Sequence, residues 1–208
     1  MTGSLQERAD LLRLNATPEE RVAIAAHELG HYEMSKRAGV QPEGITIGHH
    51  PADPRSPSRL AGIEIDTGLT HYIDQWQQQM VSITDEVERR RFLDGFLKSL
   101  YAGEVAEELV TEKPTDSGTV DSAMARHWMW KAAMLGNVIL SEGEIGQKEC
   151  RLKQDVRNEL CEPETKRRLS HAAQQLAENH FDSQRHPAST IDHYLNGGTR
   201  QNLPREGQ

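Results

Sequence analysis

Thr17-Pro18-Glu19-Glu20-Arg21-Val22-Ala23-Ile24-Ala25-Ala26-His27-Glu28-Leu29-Gly30-His31 opens the clearest helix of the chain. Thr17 can cap the helix, Pro18 suits its first position and Glu20 can close a capping box. The helix is expected to run from Pro18 to about Ala38, with Gly39 placed to end it in the left-handed conformation. Residues four apart share a helix face, with β-carbons about 5 to 6 Å apart. His27 and His31 can therefore hold one zinc ion at about 2.0 to 2.1 Å. Glu28 projects beside that face, where a carboxylate can accept a proton from a metal-bound water whose pKa has fallen to about 7. This is the H-E-x-x-H pattern in the helical context it demands. Gly30 costs about 1 kcal/mol relative to alanine inside a helix, which implies that another backbone or a ligand comes close there. The competing reading is a pair of surface histidines.

Outward from this helix, Leu5, Leu11, Leu12 and Leu14 allow a short leading helix. Downstream, Gly44-Ile45-Thr46-Ile47-Gly48 and the run from Leu60 to Ile65 read as two strands. Pro51, Pro54 and Pro57 between them mark an exposed loop. From Thr84 to about Thr111, Val87, Phe92, Phe96, Leu97, Leu100, Val105 and Leu109 recur at helical steps, giving one or two helices with Gly95 and Gly103 as candidate breaks. Residues 113–118 read as a loop. Further helices are expected over Val120 to Met134, Ser141 to Leu160 and Pro163 to Phe181. After Asp182 the composition turns polar, with Gly197-Gly198, and reads as a loose tail.

The 208 residues suit one domain with a core built mainly from aliphatics, since aromatics make up only 5%. A net charge of -8 argues against nucleic acid and against an anionic membrane surface as partners. Cys150 and Cys161 lack the close spacing of a structural zinc site and read as two reduced thiols. No apolar run approaches the roughly 18 residues of a membrane span, and Met1 to Asn15 lacks the pattern of a secretory signal, so cytoplasmic residence is expected.

Arg21 to His31 resembles the zinc helix of the FtsH-type peptidases, the protease domain of membrane-bound ATP-dependent zinc metalloproteases. Gly44-Ile45-Thr46-Ile47 is similar to the family's following strand, and Leu60-Ala61-Gly62-Ile63 to its returning partner. Tyr101-Ala102-Gly103-Glu104-Val105-Ala106-Glu107-Glu108 is similar to its Gly-Gly-Arg-x-Ala-Glu-Glu helix. Ser117-Gly118-Thr119-Val120-Asp121 resembles the segment that delivers its third ligand, an aspartate. The resemblance spans Pro18 to Met134 and continues weakly to about Phe181. Ala102 and Glu104 stand where the family has a glycine and an arginine, and Gly48-His49-His50-Pro51 replaces its Pro-Arg-Gly. The 90 positions from His31 to Asp121 imply an inserted loop.

The resemblance implies Asp121 as the third ligand, with Glu104, Glu107 and Glu108 as rivals, because other zincins take a glutamate from a second helix. Asp121 also suits the first turn of a helix without any metal. Glu107 better fits an outer role, accepting the free imidazole proton of a ligand histidine. His49, His50, His71 and His127 read as exposed or structurally bonded histidines, and Trp128 and Trp130 as core or interface residues.

The expectation is a mainly helical α+β fold, with a zincin-like H-E-x-x-H helix beside a small sheet and a C-terminal helical bundle. One metallopeptidase domain would occupy residues 1–182 and a flexible tail residues 183–208. The chemistry would be endopeptide hydrolysis with Zn2+ held by His27, His31 and Asp121 and with Glu28 as general base, acting on unfolded or flexible polypeptides. Alternatives are a non-catalytic zinc-containing interaction protein and a peptidase dedicated to one regulator. The family works as rings, which leaves a homo-oligomer open. No Gly-x-x-x-x-Gly-Lys-Ser/Thr occurs in these residues, so ATP-independent cleavage is expected, with any unfoldase acting in trans.

Overall fold

A computed structural model of the chain describes residues 16–47, 61–64, 80, 82–114, 118–135, 140–181 and 185–203. The leading helix, the proline-bearing loop and His49, His50 and His71 fall outside these residues. The expected mainly helical architecture with a small antiparallel sheet is what the described residues form.

Helix α1 spans Pro18–Arg37, and the capping box is formed at its start: Thr17 N–H donates to Glu20 Oε2 at 2.7 Å and Glu20 N–H to Thr17 Oγ1 at 3.2 Å. Gly39, at φ 86°, ends it, and Val40 N–H turns back to the Ser35 carbonyl at 3.0 Å. Strand β1 (Gly44–Ile47) pairs antiparallel with β2 (Ala61–Glu64), Ile45 opposite Ile63. Helix α2 (Glu86–Thr111) is capped by Asp85, whose side chain accepts from Glu88 N–H at 2.8 Å. It is one continuous helix, uninterrupted at Gly95 and Gly103. Helices α3 (Thr119–Leu135), α4 (Glu142–Leu160) and α5 (Pro163–Asn179) follow, α4 with a second capping box on Ser141 and Glu144.

The expected loose tail is corrected by the structure over residues 185–203. Strand β3 (Arg185–Pro187) pairs antiparallel with β1, giving the order β2-β1-β3, and helix α6 (Ala188–Leu195) follows it. Ile191, Tyr194 and Leu195, at helical spacing, are fully or almost fully buried. They dock on the main core despite the polar residues around them, because three apolar side chains on one face suffice to anchor a short helix. A short 3-10 turn, Arg200–Asn202, comes last.

Two hydrophobic clusters meet across α2. One joins Ala25, Ala26 and Leu29 of α1 to Ile45 and Ile47 of β1, Ala102, Val105 and Ala106 of α2, and residues of α4, α5 and α6. The other packs Leu93, Phe96, Leu97, Leu100 and Tyr101 of α2 against Ala125, Trp128 and Met129 of α3 and Ile145 and Leu152 of α4. Thus α2 lies between the histidine helix and the helix that carries Asp121. No described helix is long and apolar enough to cross a membrane.

Candidate metal centre

At Gly30, helix α1 comes against the backbone of α2. A Cβ on Gly30 would overlap the Ala102 carbonyl oxygen and lie 2.6 Å from Ala106 Cβ, so the helix-destabilising glycine marks the approach of another backbone. Around this crossing stand His27 and His31, one turn apart on α1. Their Nε2 atoms are 3.0 Å apart. Asp121, in the first turn of α3, places Oδ2 3.2 Å from His27 Nε2 and 3.5 Å from His31 Nε2. Among the described residues these three form the one group of His, Cys, Asp or Glu whose ligand atoms, all within 4.8 Å of one another, could hold a metal ion. Their side chains are only 12 to 15% exposed.

Each imidazole is oriented by a bond to its other nitrogen. His31 Nδ1 donates to the Ser99 carbonyl at 2.6 Å, and His27 Nδ1 faces Glu107 Oε2 at 3.4 Å. In their neutral forms, rings so held present Nε2 lone pairs toward the shared centre. Such outer partners fix tautomer and ring direction at metal sites. The other two glutamates are engaged elsewhere: Glu104 accepts from Lys153 Nζ at 2.8 Å, and Glu108 pairs with Arg157. Among the described residues the donor set is two imidazole nitrogens and one carboxylate oxygen, a combination of ligand types that suits zinc.

The electrostatics follow from the same contacts. Burial disfavours a charged His27, but the hydrogen bonds it donates to Asp121 and Glu107 and the negative charges of Glu28 and Asp121 outweigh it and raise its pKa to about 10. Asp121 is likewise opposed by burial, yet the positive charge of His31 and the hydrogen bonds of both histidines hold its carboxyl far below the usual carboxylate range. Glu28 is buried on α1 beside the cluster, and its charge reaches His27.

The chain matches no family model and no curated protein. Further from the centre, Asp192 of α6 accepts from Tyr32 Oη at 3.0 Å and from Lys36 Nζ at 2.7 Å. This bond ties the C-terminal helix to the turn of α1 that follows His31. Sequence reasoning missed both the Asp192 bond and the Ser99 carbonyl. The aspartate lay in a segment read as tail, and every residue has a carbonyl, so residue type gives no signal for Ser99. His127 is exposed, whereas Trp128 is buried against Phe96, with ring centroids 5.6 Å apart.

Proposed function

We propose that the chain is a zinc-dependent endopeptidase of FtsH-like type that cleaves unfolded or flexible polypeptides without ATP. The observation that carries this reading is the convergence of His27, His31 and Asp121 from two helices, with the carboxylate of Glu28 on the same helix as the two histidines. When bound, zinc would polarise the scissile carbonyl and acidify a water molecule. Glu28 accepts the water's proton as the oxygen attacks the carbonyl carbon, then gives a proton to the leaving amine nitrogen. Glu107 and the Ser99 carbonyl hold the two imidazole rings in place while this happens.

A position for the substrate follows from this reading. Both sides of β1 are paired, to β2 and to β3, and β2 contacts α1, which supports an extended peptide adding along the outer edge of β2. Recognition there uses main-chain hydrogen bonds and tolerates varied sequence. A non-catalytic zinc protein is the less favoured reading because it gives no role to a carboxylate at Glu28. The test is degradation of an unstructured protein with zinc, with a chelator, and by Glu28→Gln. Zinc-dependent cleavage is expected from the wild type only; a variant that keeps zinc and full turnover would remove Glu28 from the mechanism.

A further inference from the structure

Gly103 stands on α2 one helical turn beyond Ser99, and its Cα faces the two histidine rings of α1. A Cβ built there would lie 2.5 Å from His27 Nε2 and 2.5 Å from His31 Nε2. Ordinary van der Waals contact begins at 3.4 Å. A single methyl group at this position therefore overlaps both nitrogens of the proposed centre at once. The neighbouring glycines behave differently: a Cβ on Gly30 meets backbone and the Cβ of Ala106, and one on Gly95 meets the Cβ of Ala38 at 3.0 Å. Among the three interhelical glycines of α1 and α2, Gly103 alone meets the atoms that would bind metal.

We infer that Gly103 is a positioning residue for the metal: its missing side chain leaves the space in which His27 and His31 can turn both Nε2 atoms toward one ion. The inference rests on the metal-site reading above. Zinc needs both nitrogens at about 2.0 to 2.1 Å, and a functional constellation tolerates displacements of only ~0.5 Å. Retreat from 2.5 Å to 3.4 Å exceeds that tolerance. His31 cannot swing clear and keep its Nδ1 bond to Ser99, nor His27 and keep its contact with Glu107, so the rings give way only by abandoning the orientation that binds metal. The same retreat is open to the metal-free protein, because imidazole rings rotate about their side-chain torsions while the helices stay put. Alanine is also the better helix former at an interior position. Gly103→Ala should therefore separate metal binding from folding.

The experiment compares the wild type, Gly103→Ala and Gly95→Ala, measuring Zn2+ affinity by competition with a chromophoric chelator, the ligand-field spectrum of the Co2+-loaded protein, and helical circular dichroism in EDTA. The wild type and Gly95→Ala should bind Zn2+ alike. Gly103→Ala should keep its helical signal in EDTA, bind Zn2+ at least about 10- to 100-fold more weakly, as for other losses of ligand orientation, and lose the Co2+ spectrum of the wild type. Wild-type protein that fails to bind Zn2+ would overturn the metal-site reading itself. If the wild type binds, equal affinity and an unchanged Co2+ spectrum in Gly103→Ala would overturn the role of Gly103. So would a variant that does not fold in EDTA, since the glycine would then serve packing rather than the metal.

Discussion

His27 is a largely enclosed imidazole that carries a charge because of what surrounds it. Its pKa, raised from 6.5 to about 10, gives the metal-free protein a stabilising contribution that is complete below pH 6.5 and lost as pH rises toward 10. Asp121, lowered from 3.8, contributes above about pH 3.8 and loses its contribution only in stronger acid. In chelator, the stability advantage of wild type over Asp121→Asn should thus be greatest between about pH 4 and 6.5 and shrink toward pH 10. Denaturant melts across that range would check it, and an advantage that stays flat would mean that His27 is neutral throughout. The proposed metal ligands separate from their rivals in the same way. Asp121→Ala should cost more zinc affinity than the roughly 10- to 100-fold expected of Glu107→Gln, which removes only an outer partner. Glu104→Gln and Glu108→Gln should leave affinity unchanged, because those carboxylates answer Lys153 and Arg157. Titrating each variant with Zn2+ decides; a large loss in Glu104→Gln with none in Asp121→Ala would reassign the third ligand.

Helices α1 and α2 are joined through a pair of glycines that face opposite ways across the crossing. Gly30→Ala should destabilise the protein by about 1 to 3 kcal/mol through overpacking, even after alanine's gain of about 1 kcal/mol in helix propensity. The Ala102 carbonyl cannot rotate aside as a side chain can. Unfolding in guanidinium would measure this, and a variant as stable as the wild type would mean that the helices are less closely seated. The sequence showed Gly30 as a close approach because a glycine amid good helix formers is anomalous. Gly95 and Gly103 looked like breaks for the same reason, and only the partner across the interface, Ala38 in one case and two histidines in the other, distinguishes a contact from a turn. Capping signals such as Thr17 with Glu20 and Ser141 with Glu144 were legible because they are local. Strand β3 and helix α6 were not. Their order comes from burial of Ile191, Tyr194 and Leu195, partly against α5, and from pairing with β1 and Asp192 reaching Tyr32 and Lys36, the last two set by residues some 140 to 160 positions away. The histidine pair was readable from spacing within one helix, whereas the arrival of Asp121 beside it depends on how α3 packs on α2.

At the scale of the whole molecule, two clusters of apolar side chains, both containing residues of α2, hold the helices that carry the proposed metal ligands. Under the proposed function the centre would hydrolyse a chain that reaches the β2 edge in extended form, and a chain that is already folded does not reach it in that form. A stably folded domain exposes its unfolded form only to the extent of about one part in a thousand to one in a million. Cleavage that tracks this small population is slow by the same factor unless some other agent unfolds the substrate. Purified protein supplied with Zn2+ should therefore degrade an unstructured polypeptide at the same rate with and without ATP, and should leave a tightly folded domain intact over the same hours. Destabilising mutations placed in that folded domain should restore its cleavage in proportion to the unfolded fraction they create. Gels of both substrates over time, with and without ATP and with a chelator control, provide the comparison. If the unstructured chain survives until ATP is added, or the folded domain disappears just as fast as the unstructured one, the proposal of an ATP-independent peptidase for loose polypeptides is wrong.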